Sequence, residues 1–130
     1  MSMNDPLASA LSTIKNAEKI GRKNCMIFPA SKIIKKVLTI MKEYHYIGEF
    51  EEIKNPKGTN IKVNLIGKIN NCGVIKPRFP ITVKKYETFE KRFLPAKDFG
   101  ILILSTPKGI MDHKEAKKNK VGGKLFSFCY

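Results

Sequence analysis

The chain has 130 residues, 42% of them apolar, and carries 25 Lys+Arg against 11 Asp+Glu, a formal net charge of +14. That length suits one ordinary domain or two very small ones, with a core large enough to fold without disulfides or metal. Regularly spaced Ile, Leu, Val and Phe argue against disorder, and the longest apolar run, residues 99–104, is far short of the roughly 18 residues of a membrane span. The first residues lack the basic-then-apolar pattern of a signal peptide, so the expectation is a soluble, intracellular chain committed to a polyanion.

Asp5-Pro6 is a helix-start signal, and Leu7, Ala10, Leu11, Ile14 and Ala17 follow with helical period up to Gly21. Residues 25–28 read as a short strand stopped by Pro29. A second helix begins near Ala30-Ser31, with Ile34, Val37, Leu38 and Met41 as its apolar face. Residues 47–53 and 60–65 read as strands joined at Asn55-Pro56-Lys57-Gly58, a strong hairpin signal. Beyond them, residues 70–74 and 81–84 are strand candidates flanking Lys76-Pro77-Arg78-Phe79-Pro80, a connector stiffened by two prolines. Residues 86–93 suit one or two helical turns, and residues 100–104 form the most apolar strand, expected to be central. Ser105-Thr106-Pro107-Lys108-Gly109 reads as a tight polar loop. Asp112, with Glu115 three residues on, opens a short basic helix that Val121-Gly122-Gly123 breaks, and residues 125–130 close the chain as a strand.

The predicted fold is α/β in the α+β sense, with two small domains. Residues 1–66 form an N-terminal α-β-α-β-β unit, and residues 67–130 a mainly antiparallel β unit with short helices. The boundary is expected near Gly67-Lys68.

Cys25, Cys72 and Cys129 are odd in number and lack C-x-x-C spacing, which argues against a disulfide framework or a zinc site. Reduced, mostly buried thiols in a cytoplasmic protein are expected. Neither His45 nor His113 has a second ligand at helical spacing, so no metal and no cofactor is expected.

Residues 1–66 carry 11 bases and 6 acids, and residues 67–130 carry 14 bases and 5 acids. The sign segregates further: residues 15–42 hold 8 bases against Glu18 alone, whereas Glu43, Glu49, Glu51 and Glu52 cluster on the next elements. A one-sided field neutralises phosphates and steers a polyanion, which favours nucleic-acid binding over an evenly solvated lysine surface. RNA is preferred to duplex DNA, because no helix-turn-helix, zinc finger or basic zipper is visible. Single-strand modules of the KH and RRM kinds are missing too, which leaves recognition of a folded RNA by shape.

In residues 105–109, small hydroxyls could approach a base edge or a 2′-OH while Lys108 reaches phosphate; by composition alone an ordinary turn reads as well. The run Gly100-Ile-Leu-Ile-Leu-Ser-Thr-Pro-Lys-Gly-Ile-Met111, followed by Ala116-Lys117, resembles the signature of the eighth small-subunit ribosomal protein family. Asp5-Pro6-Leu7, Ile14-Lys15-Asn16-Ala17 and Pro29-Ala30-Ser31-Lys32 resemble its N-terminal motifs. Lys76-Pro77-Arg78, Val121-Gly122-Gly123 and Tyr130 resemble its C-terminal ones. Ile110-Met111-Asp112-His113 together with Leu94-Pro95 resembles the archaeal and eukaryotic branch.

The resemblance implies a two-domain structural constituent of the small ribosomal subunit. Such a protein binds a helical junction in the central domain of small-subunit ribosomal RNA, helps assemble it early, and stands as a monomer beside neighbouring ribosomal proteins in the cytoplasm. It implies that Ser105, Thr106, Lys108 and Gly109 meet an irregular internal loop of the RNA and that Ser31 and Lys32 touch its backbone. Pro107 departs from the pattern, standing where relatives often have serine; a hydroxyl and an N–H are lost there, and the ring stiffens the loop.

Other basic positions carry two readings each. Ser31-Lys32 with Lys35 offers a helix N-terminus for phosphate, or an N-cap followed by solvated lysines. Lys15 and Asn16 join the candidates through their motif. Lys76 and Arg78 present cations to RNA, or merely flank a proline-shaped junction. Gly122 and Gly123 permit close approach to RNA, or supply positive φ at a turn. Tyr86, Phe89 and Phe93 read as core rather than base-stacking groups. No P-loop, H-E-x-x-H or nucleophile–base motif supports an enzyme, and no amphipathic anchor or lipidation motif supports membrane attachment. The alternative to a ribosomal protein is a sequence-tolerant nucleic-acid coating protein.

Overall fold

A computed structural model describes residues 6–28, 31–75, 80–95 and 99–130. Its chain is a mixture of helices and antiparallel sheets in two units that divide between Asn70 and Asn71, a little beyond Gly67-Lys68.

In the first unit, α1 (Pro6–Ile20) buries Leu7, Ala10, Leu11, Ile14 and Ala17, the five residues whose spacing marks its apolar face. Gly21 ends the helix at φ 85°, in the left-handed region glycine tolerates best. The proposed Asp5 cap lies outside the described residues. Strand β1 (Asn24–Ile27) starts one residue before the expected position and alternates, with Cys25 and Ile27 inward and Met26 outward. Helix α2 (Lys32–Glu43) is capped by Ser31, whose Oγ accepts the Ile34 backbone N–H at 3.2 Å. It buries Ile34, Val37, Leu38, Ile40 and Met41.

Strands β2 (Ile47–Asn55) and β3 (Gly58–Leu65) form the expected hairpin. At its tip the Asn55 side chain accepts the Lys57 N–H at 3.0 Å, an Asx-type turn. The sheet order is β1-β3-β2, all antiparallel, with α1 against β1 and α2 against β2. Each large aliphatic side chain buried between helix and sheet contributes about 1.5–3 kcal/mol.

The second unit is a five-stranded antiparallel sheet. Strands β4 (Cys72–Val74), β8 (Gly123–Cys129), β6 (Ile101–Thr106) and β7 (Gly109–Asp112) follow in that order, and β5 (Pro80–Ile81) also pairs with β8. The apolar strand over residues 101–104 is central, as expected. Residues 81–84 correct the sequence reading: β5 ends at Ile81, and Val83–Lys85 form a 3-10 turn. The pairing explains why, since β5 meets β8 only at Lys124 and Gly123.

Helix α3 (Tyr86–Phe93) and helix α4 (His113–Lys118) complete the unit. Asp112 caps α4 by accepting the Lys114 N–H at 3.1 Å. The core gathers Ile75, Ile81, Tyr86, Leu94, Leu102, Leu104, Met111, Ala116 and Leu125, with Phe89 and Phe93 half-buried against it. Tyr86 donates its hydroxyl to the Val121 carbonyl at 2.5 Å, and burial raises its pKa, which keeps it a donor. All three cysteines are buried, and none of them forms a disulfide.

Candidate nucleic-acid interface

The hydroxyl motif is not a five-residue loop. Strand β6 runs through Ser105 and Thr106, the turn proper is Pro107-Lys108, and Gly109 begins β7 at φ 121°. Ser105 pairs with Ile110 on one side and Lys124 on the other, and Thr106 pairs with Gly109. Sequence composition favoured a loop because Ser, Thr, Pro and Gly are turn-formers, but a two-residue hairpin needs only Pro107 and Lys108.

This geometry separates the two hydroxyls. Thr106 Oγ1 donates to the Gly109 carbonyl at 2.8 Å and accepts the Lys108 N–H at 3.2 Å, so it closes the turn from within. Ser105 is half-buried, and among the described residues its hydroxyl has no hydrogen-bond partner. Ser105 is therefore the hydroxyl left for a ligand. Pro107, Lys108 and Gly109 are exposed at the tip.

Gly122 and Gly123 do not supply positive φ at a turn, the second of the two readings given them. A Cβ on Gly123 would collide with the Ser105 carbonyl oxygen and lie 2.8 Å from its carbon, and one on Gly122 would collide with the Ile81 carbonyl oxygen. The pair lets β8 pass close to β5 and β6, which fixes the backbone of Ser105. The extra residue Phe126 in β8, a bulge opposite the Ile103/Leu104 step, bends the strand two residues after Lys124. Lys124 was missed by the sequence reading. It is exposed and lies directly across from Ser105, where cross-strand side chains share a face. Lysine on a terminal strand carries no distinguishing local pattern, so only the register finds it.

On the first unit, Lys15 and Asn16 are exposed on α1, and Lys32 is exposed at the start of α2. Ser31 spends its oxygen on the N-cap. Lys35 is half-buried and ion-paired with Glu52 of β2, which reduces the charge it can offer to phosphate. Lys76 and Arg78 lie outside the described residues, as do Pro29 and Ala30. Burial pushes the Cys25 thiol up to about 11, with the Glu18 carboxylate adding to the shift, so it is not a thiolate at neutral pH. Among the described residues no group of three or more His, Cys, Asp or Glu is placed to hold a metal, and no helix is long and apolar enough to cross a membrane.

Comparison with known proteins agrees with the motifs. The family model for ribosomal protein S8 matches residues 5–130. The small ribosomal subunit protein uS8 of Methanococcoides burtonii is 55% identical over 126 residues, which is 97% of this chain and 97% of that protein. The chain belongs to the ribosomal protein S8 family, a family of ribosomal structural proteins rather than enzymes.

Proposed function

We propose that this protein binds a helical junction of the central domain of small-subunit ribosomal RNA directly, and helps to assemble and stabilise it. Its work is structural and non-catalytic, carried out in the cytoplasm by one copy beside neighbouring ribosomal proteins. The observation that carries the reading is the end of β6. There Ser105, whose hydroxyl has no partner among the described residues, stands on a paired strand with Lys124 across from it and Lys108 at the adjoining turn.

Such a site is preorganised, so little entropy is lost when RNA arrives. The small hydroxyl suits a 2′-OH or base edge, while the two cations suit phosphate. Lys15, Asn16 and Lys32 supply a second set of RNA contacts from the first unit, with Lys32 on the backbone. Nuclease and hydroxyl-radical footprinting of the purified protein on small-subunit ribosomal RNA tests the reading. One protected helical junction at one protein per RNA is expected. Protection spread along the RNA at many copies would make it a coating protein instead.

A further inference from the structure

An open groove of about 450 Å³ lies between α1 and strand β1 in the first unit. Its size falls within the roughly 300–1,000 Å³ usual for small-ligand sites. Thr13, Asn16 and Ala17 line it from α1, and Asn24, Cys25 and Met26 from β1; Ile20 and Arg22 stand where the two elements join. Two of its walls are apolar side chains left in solvent: Ile20 is 71% exposed and Met26 44%.

The polar lining is unspent. Among the described residues, the side chains of Asn16, Arg22 and Asn24 have neither hydrogen bond nor ion pair. Thr13 Oγ1 donates to the Ser9 carbonyl at 2.9 Å and keeps its lone pairs for an incoming donor. Lys15, Lys19 and Lys23 surround the site in sequence, and all three are exposed. The nearby acid, Glu18, is half-buried and accepts the Ile69 N–H at 3.0 Å. The floor is neutral, since Cys25 is a buried thiol and Ala17 is buried beside it.

Two amides, one guanidinium and a pair of flexible apolar walls form the chemistry that receives a flat heterocycle attached to a phosphate. We infer that this groove takes a single unstacked nucleotide of the bound RNA, with its base between Ile20 and Met26, its edge read by the Asn16 and Asn24 amides, and its phosphate held by Arg22. Proteins that read RNA by sequence do so mostly at splayed bases, because the deep, narrow A-form major groove keeps side chains from the base edges there. Amides can pair with a base edge through two hydrogen bonds, and a guanidinium can grip phosphate the same way. A charged peptide would satisfy Arg22 but would leave the paired amides without a planar partner. This inference rests on the RNA-binding reading above and assigns that surface a ligand of its own.

The test is nucleotide-resolution chemical probing of a central-domain ribosomal RNA transcript with wild-type protein, with Arg22→Ala/Asn24→Ala and with Ile20→Ser. All three positions are exposed, and thermal unfolding of each variant confirms that its fold is intact. Wild type should protect the junction and, separately, the base of one unpaired nucleotide. Both variants should restore the reactivity of that base and keep the junction protected. The double variant should also weaken binding about tenfold, the scale of one bidentate amide–base pair. Protection identical in wild type and variants overturns the nucleotide site and leaves the RNA-binding reading standing, with an extended protein segment as the occupant to seek. Absence of any wild-type footprint overturns both.

Discussion

His113 Nδ1 accepts the backbone N–H of Leu102 at 3.0 Å, tying the first residue of α4 to the start of β6. Accepting there places the imidazole proton on Nε2, which faces Glu90 Oε1 of α3 at 3.4 Å. Glu90 is buried and ion-paired with Lys117, so two helices and the central strand meet at one neutral ring. Burial lowers the His113 pKa from its usual 6.5, with Lys117 and Lys114 acting in the same direction and Glu90 and Asp112 opposing them.

A folded-state pKa below the unfolded one makes stability pH-dependent in a definite sense. The contribution is complete above about pH 6.5 and declines as pH falls from there toward the lowered value, where the ring charges and loses its acceptor. Denaturant unfolding should therefore show a midpoint that drops between neutral and mildly acidic pH. His113→Gln should cost about 1–3 kcal/mol at neutral pH and flatten that slope. A slope unchanged by the substitution would assign the acid sensitivity to other groups.

Gly123→Ala should cost about 3 kcal/mol, because the added methyl meets the Ser105 backbone rather than a side chain that can move. Equilibrium unfolding measures the loss. RNA selectivity should fall with it, since the hydroxyl shifts with its backbone. Full stability in Gly123→Ala would mean that β8 and β6 can separate at little cost.

Lys32 and Lys35 should differ, although both stand in the first turn of α2. Lys32→Ala should reduce the slope of log affinity against log salt by roughly one or less. Lys35→Ala should change it less, because Glu52 already neutralises that ammonium. Glu52→Gln should free it and steepen the slope. Binding titrations over a salt series distinguish the three, and equal slopes for both lysine variants would remove any role for the ion pair.

The sequence was most legible where burial is one-sided and local. Leu7, Ala10, Leu11, Ile14 and Ala17 declare α1 because a helix against a sheet needs one apolar stripe. The hairpin at Asn55–Gly58 was equally plain, since its turn chemistry is contained in four residues. What escaped depends on pairing between distant elements. Ser105 and Thr106 share hydroxyl chemistry, and only the turn geometry shows that one is consumed and the other free. Lys124 beside Ser105, Glu52 on Lys35 and Leu102 on His113 are likewise long-range facts of register and packing. Gly122 and Gly123 stand out in the sequence, but only the packing shows that they let β8 pass close to β5 and β6 and form no positive-φ turn.

In the proposed interface Thr106 closes the turn and Ser105 meets the RNA. Competition binding with a central-domain ribosomal RNA transcript against an unrelated structured RNA tests it, alongside unfolding of the same variants. Ser105→Ala should lose about 1–3 kcal/mol on the cognate RNA, little on the other, and almost no stability. Thr106→Val should lose about 1 kcal/mol of stability, and its RNA loss should follow from the loosened turn. Equal losses on both RNAs with Ser105→Ala, or none on either, would contradict the assignment of specificity to the end of β6.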